Sequence, residues 1–161
     1  STAMQELAAD PRTVFLGQGV REKGTFMSTT LTEVPLEKRI ELPVAEEMQL
    51  GVSIGMSLAG FIPISVFPRW NFLLLAANQL VNHLDKMQPH VIVRVGVGSE
   101  RPLHPGAQHV GNYSAALRMM CNNTEIIELN DVSDIIPAYR RGLERNGPTV
   151  IVEFADNYHE K

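Results

Sequence analysis

Glu46 and Glu47 are adjacent acids standing directly before an apolar run, Met48-Gln49-Leu50-Gly51. Acids in the first turn of a helix complement its dipole for a few tenths of a kcal/mol, and that is the ordinary reading. Here the run that follows is not a solvated face. This favours one carboxylate held away from water, where it can accept a hydrogen bond or a proton from a bound group. Arg69, Trp70 and Phe72 form a second candidate group: a cation beside two aromatic rings at the start of another apolar stretch. By default such rings are core residues. His104 and His109 lie in a Gly- and Pro-rich stretch, five apart and with no second cluster, so they lack the spacing of a metal site. Gly96-Val97-Gly98 lacks the third glycine of a dinucleotide fingerprint. The chain has no Walker motif and no serine in a nucleophile elbow.

The elements that must position these residues alternate between β-branched runs and apolar helices. Strands are predicted at 13–16, 39–42, 61–67, 91–95, 125–129 and 149–154. Helices are predicted over 45–59, closed by Gly60, over 71–87, over 113–120, and over 132–145, capped by Asp131. Residues 18–37 and 96–112 read as loops. Strands separated by helices imply crossover connections and a parallel sheet. The near-continuous apolar character of the strands fits a sheet covered on both faces. The expected fold is therefore α/β: a single three-layer domain with a mostly parallel sheet covered by helices on both faces. Ligands in such sheets bind beyond the carboxyl ends of the strands. The loops after 13–16, 39–42, 61–67 and 91–95 should meet there, bringing Glu46, Arg69, Trp70, Phe72 and His109 to one edge.

Two helices are unusually apolar for the outside of a sheet. The stretch 48–58 interleaves Met, Leu, Val and Ile with Gly51, Ser53, Gly55 and Ser57, and the stretch 72–84 is apolar on almost every side. Either neighbouring loops bury them or they pack on another domain or subunit. The whole chain of 161 residues, 44% hydrophobic and 20% charged, can bury one core. A net charge of −4, spread along the chain, gives no basic stripe for nucleic acid and no charged tail. No apolar run reaches a membrane span, and no signal peptide is visible. A single cysteine, Cys121, excludes a disulfide framework and points to a reducing, cytoplasmic setting. Ser1-Thr2-Ala3 before Met4 reads as a remnant of an expression vector, so the domain is taken as 4–161.

The run Arg39-Ile40-Glu41-Leu42-Pro43-Val44-Ala45-Glu46, with Gly51, Gly55, Ala59-Gly60 and Pro63 behind it, resembles the pyrimidine-binding motif of thiamine diphosphate enzymes. The likeness in motif is to the beta subunits of 2-oxo acid dehydrogenase decarboxylating components, and transketolase shares the domain. Trp70-Asn71-Phe72 with Asn78-Gln79 and Asn82 is similar to the family's aromatic-x-Phe and Asp-Gln segment, and Ala107-Gln108-His109 to its Gln-His loop. Phe15-Leu16-Gly17-Gln18-Gly19-Val20 is similar to its first strand and turn. The resemblance implies a thiamine diphosphate-binding fold in a dehydrogenase or transferase acting on a 2-oxo acid or a sugar phosphate. It implies that Glu46 hydrogen-bonds N1′ of the aminopyrimidine and favours the imino tautomer, which takes the C2 proton. Phe72 would stack on the pyrimidine, Val44 and Arg69 would line the cofactor, and His109 would approach the substrate or acyl acceptor.

Three departures stand out. Asn78 replaces the usual Asp, and Arg69 occupies a place where other members often carry a neutral residue. No Gly-Asp-Gly, the family's diphosphate and magnesium motif, occurs anywhere. No metal ligand is therefore expected here. Magnesium and the diphosphate anchor should come from a partner chain or domain, in a homodimer or hetero-oligomer, with the isolated chain inactive. Two other readings stay open: a non-catalytic assembly or regulatory module, and a small-ligand-binding α/β domain that keeps the fold.

Overall fold

In the computed structural model, residues 2–22, 26–98 and 105–158 are described. Six parallel strands form one sheet: β1 (Thr13–Gly17), β2 (Arg39–Glu41), β3 (Ile62–Phe67), β4 (Ile92–Val97), β5 (Glu125–Leu129) and β6 (Thr149–Phe154), in the order β2-β1-β3-β4-β6-β5. Seven α-helical segments are found among the described residues: α1 (Thr2–Ala9), α2 (Phe26–Thr29), α3 (Glu46–Leu58), α4 (Trp70–Leu73), α5 (Asp85–Met87), α6 (Ser114–Met120) and α7 (Ile135–Glu144). The α/β class and the parallel sheet agree with the sequence expectation.

Side-chain alternation along the strands splits the core in two. Ile62, Ile64 and Val66 of β3 face one side, with Met4 and Leu7 of α1, Met27, Leu31 and Val34 of the 26–34 segment, and Tyr139 of α7. Val93 and Val95 of β4 and Val150 and Val152 of β6 face the other side, with Leu50 and Ile54 of α3, Trp70 and Leu73 of α4, and Leu117 of α6. All residues of β3 and β4 are buried, as central strands covered on both faces must be.

Three local differences from the sequence reading have physical causes. Helix α1 was not legible, because eight residues carry little intrinsic helicity. It is held by packing on α7 and by the Arg140–Glu6 ion pair at 2.8 Å. The stretch 18–37 is not wholly loop: besides α2 it contains a 3-10 turn at Leu36–Lys38. The expected helix over 71–87 is broken into α4, a 3-10 turn at Leu74–Ala76, a π turn at Gln79–Leu84, and α5. A tight turn followed by a wide one changes the winding in opposite senses. Leu73, Ala76, Leu80 and Leu84 thereby stay buried along one stripe. The closure of α3 is as expected: Gly60 has φ 96°, its N–H reaches the Ser57 carbonyl at 3.0 Å, and Phe61 N–H reaches that of Met56 at 3.1 Å.

The sheet is tied internally by one buried ion pair. Arg94 on β4 donates through Nε and Nη2 to both oxygens of Glu153 on β6, at 3.0 and 2.7 Å, and the Tyr139 hydroxyl donates to Glu153 at 2.5 Å. Arg94 also donates to Thr30 Oγ1 at 2.8 Å, which fastens the 26–34 segment over the sheet. Burial alone would raise the Glu153 pKa. The adjacent guanidinium and the hydrogen bonds from Arg94 and Tyr139 outweigh it and hold the carboxyl below its ordinary 4.5. A depressed folded-state pKa contributes stability above the unfolded value, and that contribution is lost as pH falls through the lowered one. Glu153→Gln, which leaves Arg94 without its counter-charge, is expected to cost about 3 kcal/mol near neutral pH. Its urea-denaturation midpoint should also fall less steeply than that of the wild type as pH drops below 4.5.

Candidate functional site

The chain leaves β1 toward β2 on one side and returns past β1 to β3 on the other. The first connection covers one face through Met27, Leu31 and Val34, and the second covers the opposite face through α3. A crevice opens where the two diverge, beyond the carboxyl ends of β1 and β3. Gly17 ends β1 there. A Cβ at this position would lie 2.3 Å from the Val66 carbonyl oxygen and 3.1 Å from Gln49 Nε2. Its absence lets Gln49, buried in the first turn of α3, donate to the Val66 carbonyl at 2.9 Å and to Ser65 Oγ at 3.1 Å. On the other side of β1, Glu41 accepts from the N–H groups of Gly19 and Arg21 at 2.5 and 2.7 Å and fixes the turn after β1.

These contacts seat the start of α3 at the crevice. Glu46, its first residue, is 8% exposed and has no hydrogen-bond or ion-pair partner among the described residues. Glu47 beside it is exposed. Ala45, Glu46, Glu47, Met48 and Leu75 line a groove of about 320 Å³. The Glu46 side chain thus keeps its acceptor capacity at the groove, where a bound group could donate to it.

A second group of side chains gathers above β3 and β4. Phe72 meets the His109 ring edge-on, with centroids 5.8 Å apart at 86°. Trp70 packs edge-on against Tyr113 at 6.1 Å, and Asn71 Nδ2 donates to the Tyr113 hydroxyl at 3.3 Å. Gly98, just past β4, makes this gathering possible. A Cβ there would lie 2.1 Å from the His109 carbonyl oxygen and 2.9 Å from Arg69 Nη1. Among the described residues, seven side chains each carry one buried polar atom with no partner, and three of them lie in this region: Trp70 Nε1, Asn71 Oδ1 and His109 Nδ1.

The structure thus draws Arg69, Phe72 and His109 together. Glu46 sits in the groove against Leu75, three residues along from Phe72. Val44 precedes α3 and is exposed at 67%. His104 lies outside the described residues. Leu75 and Gln49 were given no site role from sequence, and Gly17 and Gly98 entered only through motif comparison, not as points of close approach. Leu75 carries no chemical signal at all, and the other three matter through close approach, which residue type alone does not reveal. Asn78 is exposed and accepts from Asn82 Nδ2 at 2.9 Å rather than lining the groove. Among the described residues no group of three or more His, Cys, Asp or Glu side chains could hold a metal ion. No helix among them is long and apolar enough to cross a membrane.

Comparison with known proteins bears on the fold and the family. The chain is 27% identical over 159 residues to the mitochondrial pyruvate dehydrogenase E1 component subunit beta of Homo sapiens, covering 92% of this chain and 44% of that protein. It is 33% identical over 84 residues to the Drosophila melanogaster subunit of the same name, covering 50% of this chain and 23% of that one. The chain thus spans less than half the length of these curated relatives. A solved chain described as a split gene transketolase, inactive beta4 tetramer, superposes with a TM-score of 0.76 at 20% identity over 95% of this chain and 48% of its own, which is a likeness of fold. The family described as transketolase, pyrimidine binding domain, matches residues 1–160, and this chain belongs to it.

Proposed function

We propose that this chain holds the aminopyrimidine ring of thiamine diphosphate in the crevice at the start of α3 and forms half of the active site of a 2-oxo acid dehydrogenase or transketolase-type enzyme. The observation that carries the reading is Glu46: a buried carboxylate without a partner, lining a groove at the switch point of a parallel sheet. The residues present fit the pyrimidine end of the cofactor. Glu46 accepts a hydrogen bond from N1′ and keeps the ring in the tautomer whose exocyclic nitrogen can take up a proton. Phe72 offers a ring face for stacking, and His109, placed beside it, offers Nδ1 to the reacting substrate. When bound, the cofactor supplies the carbon nucleophile, while the chain supplies orientation and tautomer control. Val44 and Leu75, exposed at 67% and 61%, become walls of the site only when a second surface covers them.

The diphosphate end has no counterpart in this sequence. Charge-assisted contacts to a diphosphate and its magnesium need oxygen ligands that a Gly-Asp-Gly segment of a partner would bring. The proposal places that partner, a second chain or domain, on the outer face of α3. Met48, Val52, Leu74 and Leu75 stand exposed there, and Gly51 and Gly55 have open space where a Cβ would be. A reducing, cytoplasmic setting, in keeping with the lone buried thiol of Cys121, is part of the same proposal.

Three outcomes are expected. In the complete assembly, Glu46→Gln should slow exchange of the cofactor C2 proton at least about 100-fold, with urea denaturation close to wild type. Unchanged exchange would move the role elsewhere. Calorimetry on the isolated chain should give thiamine diphosphate binding no tighter than about 1 mM, roughly −4 kcal/mol, because one stacked ring and one or two hydrogen bonds must offset the loss of ligand freedom. Micromolar, magnesium-dependent binding without a partner would overturn the half-site reading. Sedimentation at micromolar concentration should show a dimer or larger species that Val52→Glu dissociates. A wild-type monomer would leave the exposed face of α3 without this explanation.

A further inference from the structure

We infer that Arg69 is the specificity-determining residue of the site and takes the anionic group of the substrate, a carboxylate or a phosphate. The inference rests on the functional reading above and adds the substrate contact that the groove around Glu46 does not provide.

Arg69 enters α4 in extended conformation, with φ −142° and ψ 143°, directly before Trp70 and Phe72. It is partly buried, and its guanidinium has no hydrogen bond or ion pair among the described residues. The other partly buried arginines differ: Arg39 reaches the Val20 carbonyl, and Arg145 reaches those of Asn123 and Pro148. A partly buried guanidinium with five idle donors is a poor structural element and a good receptor for planar or tetrahedral oxyanions, which it can grip through two parallel hydrogen bonds.

Its placement is specific. Arg69 Nη1 lies over Gly98, within 2.9 Å of where a Cβ would be, and the His109 main chain closes on the same glycine at 2.1 Å. Any larger residue at 98 would displace one or the other. The arginine and the histidine are thus brought to one point, beside the Phe72 ring. His109 adds a buried Nδ1 with no partner, which in its Nδ1–H tautomer donates to the same oxyanion. A cation beside the residue that carries the Phe72-stacked imidazole, near the ring proposed to stack on the cofactor, suits a substrate whose charged group sits next to its reacting carbonyl.

Titration of the full chain by 15N-resolved NMR tests this with pyruvate, inorganic phosphate and the neutral ester methyl pyruvate as probes. Saturable shifts of the Arg69, Gly98 and His109 amides are expected with at least one of the two anions, at about 10 mM, and none with the ester. The tighter anion tells a 2-oxo acid from a phosphorylated substrate. Arg69→Gln should weaken binding at least 5-fold, or about 1 kcal/mol. Arg21→Gln, at an exposed arginine away from Gly98, should leave it unchanged. No anion response at these amides, or equal loss in both variants, would overturn the proposal. Thiamine is added in a separate titration. Shifts confined to Ala45 and Glu46 without any anion response would sink the Arg69 inference and spare the cofactor reading. The reverse pattern would sink the cofactor reading alone.

Discussion

Gln49 reaches from the first turn of α3 to the ends of β1 and β3, and its two hydrogen bonds, to the Val66 carbonyl and Ser65 Oγ, require the helix to sit almost on the strands. That approach exists because position 17 carries no side chain; a Cβ there would overlap the Val66 carbonyl. Everything at the candidate site follows from this junction. It places the start of α3 at the crevice between β1 and β3, and so places Glu46 in the groove rather than in solvent. It also fixes which side of α3 faces the sheet, with Leu50, Ser53 and Ile54 inward and Met48 and Val52 outward.

The same device recurs one strand over. Gly96 lets the Pro68 carbonyl approach β4 closely, and Gly98 admits both Arg69 and the His109 main chain. Two glycines at alternate positions on one strand therefore set the path of the chain out of β3 and the docking of the loop that follows β4. Beneath them the Arg94–Glu153 pair supplies the rigidity. Its charges are removed from water, so its cost is recovered only because both carboxylate oxygens are bonded and Tyr139 adds a third donor. A stiff sheet with close-approach glycines at its carboxyl edge is a sound platform for a site whose polar atoms still lack partners.

Those unpartnered groups are what the proposed function draws on. Natural interiors rarely leave polar atoms without hydrogen bonds. Here Trp70 Nε1, Asn71 Oδ1 and His109 Nδ1 sit in the loops after β3 and β4, while Glu46 lines the groove with Met48 and Leu75. Unpartnered polar atoms and exposed apolar side chains thus lie near one another at the carboxyl edge of the sheet, the combination on which the proposed function rests.

Much of this was legible in the residues alone. The alternation of β-branched strands and apolar helices determined a parallel α/β sheet, because strands covered on both faces must be apolar on both sides. Pro43 to Glu46 and Trp70 to Phe72 determined where the candidate site lies along the chain, because strand ends and helix starts are marked by Pro, Gly and acids. Excess apolar character in 48–58 and 72–84 marked surfaces that this chain alone does not cover. The tertiary structure decided the rest. Whether Glu46 or Glu47 is the buried acid depends on which way α3 rolls onto the sheet, and Gln49 and Gly17 decide that. Helix α1 and the π turn at Gln79–Leu84 exist through packing on elements distant in sequence, which local propensity does not encode. The meeting of Arg69, Phe72 and His109, forty residues apart at the extremes, was decided by β3 and β4 lying side by side and by a glycine small enough to let their loops touch.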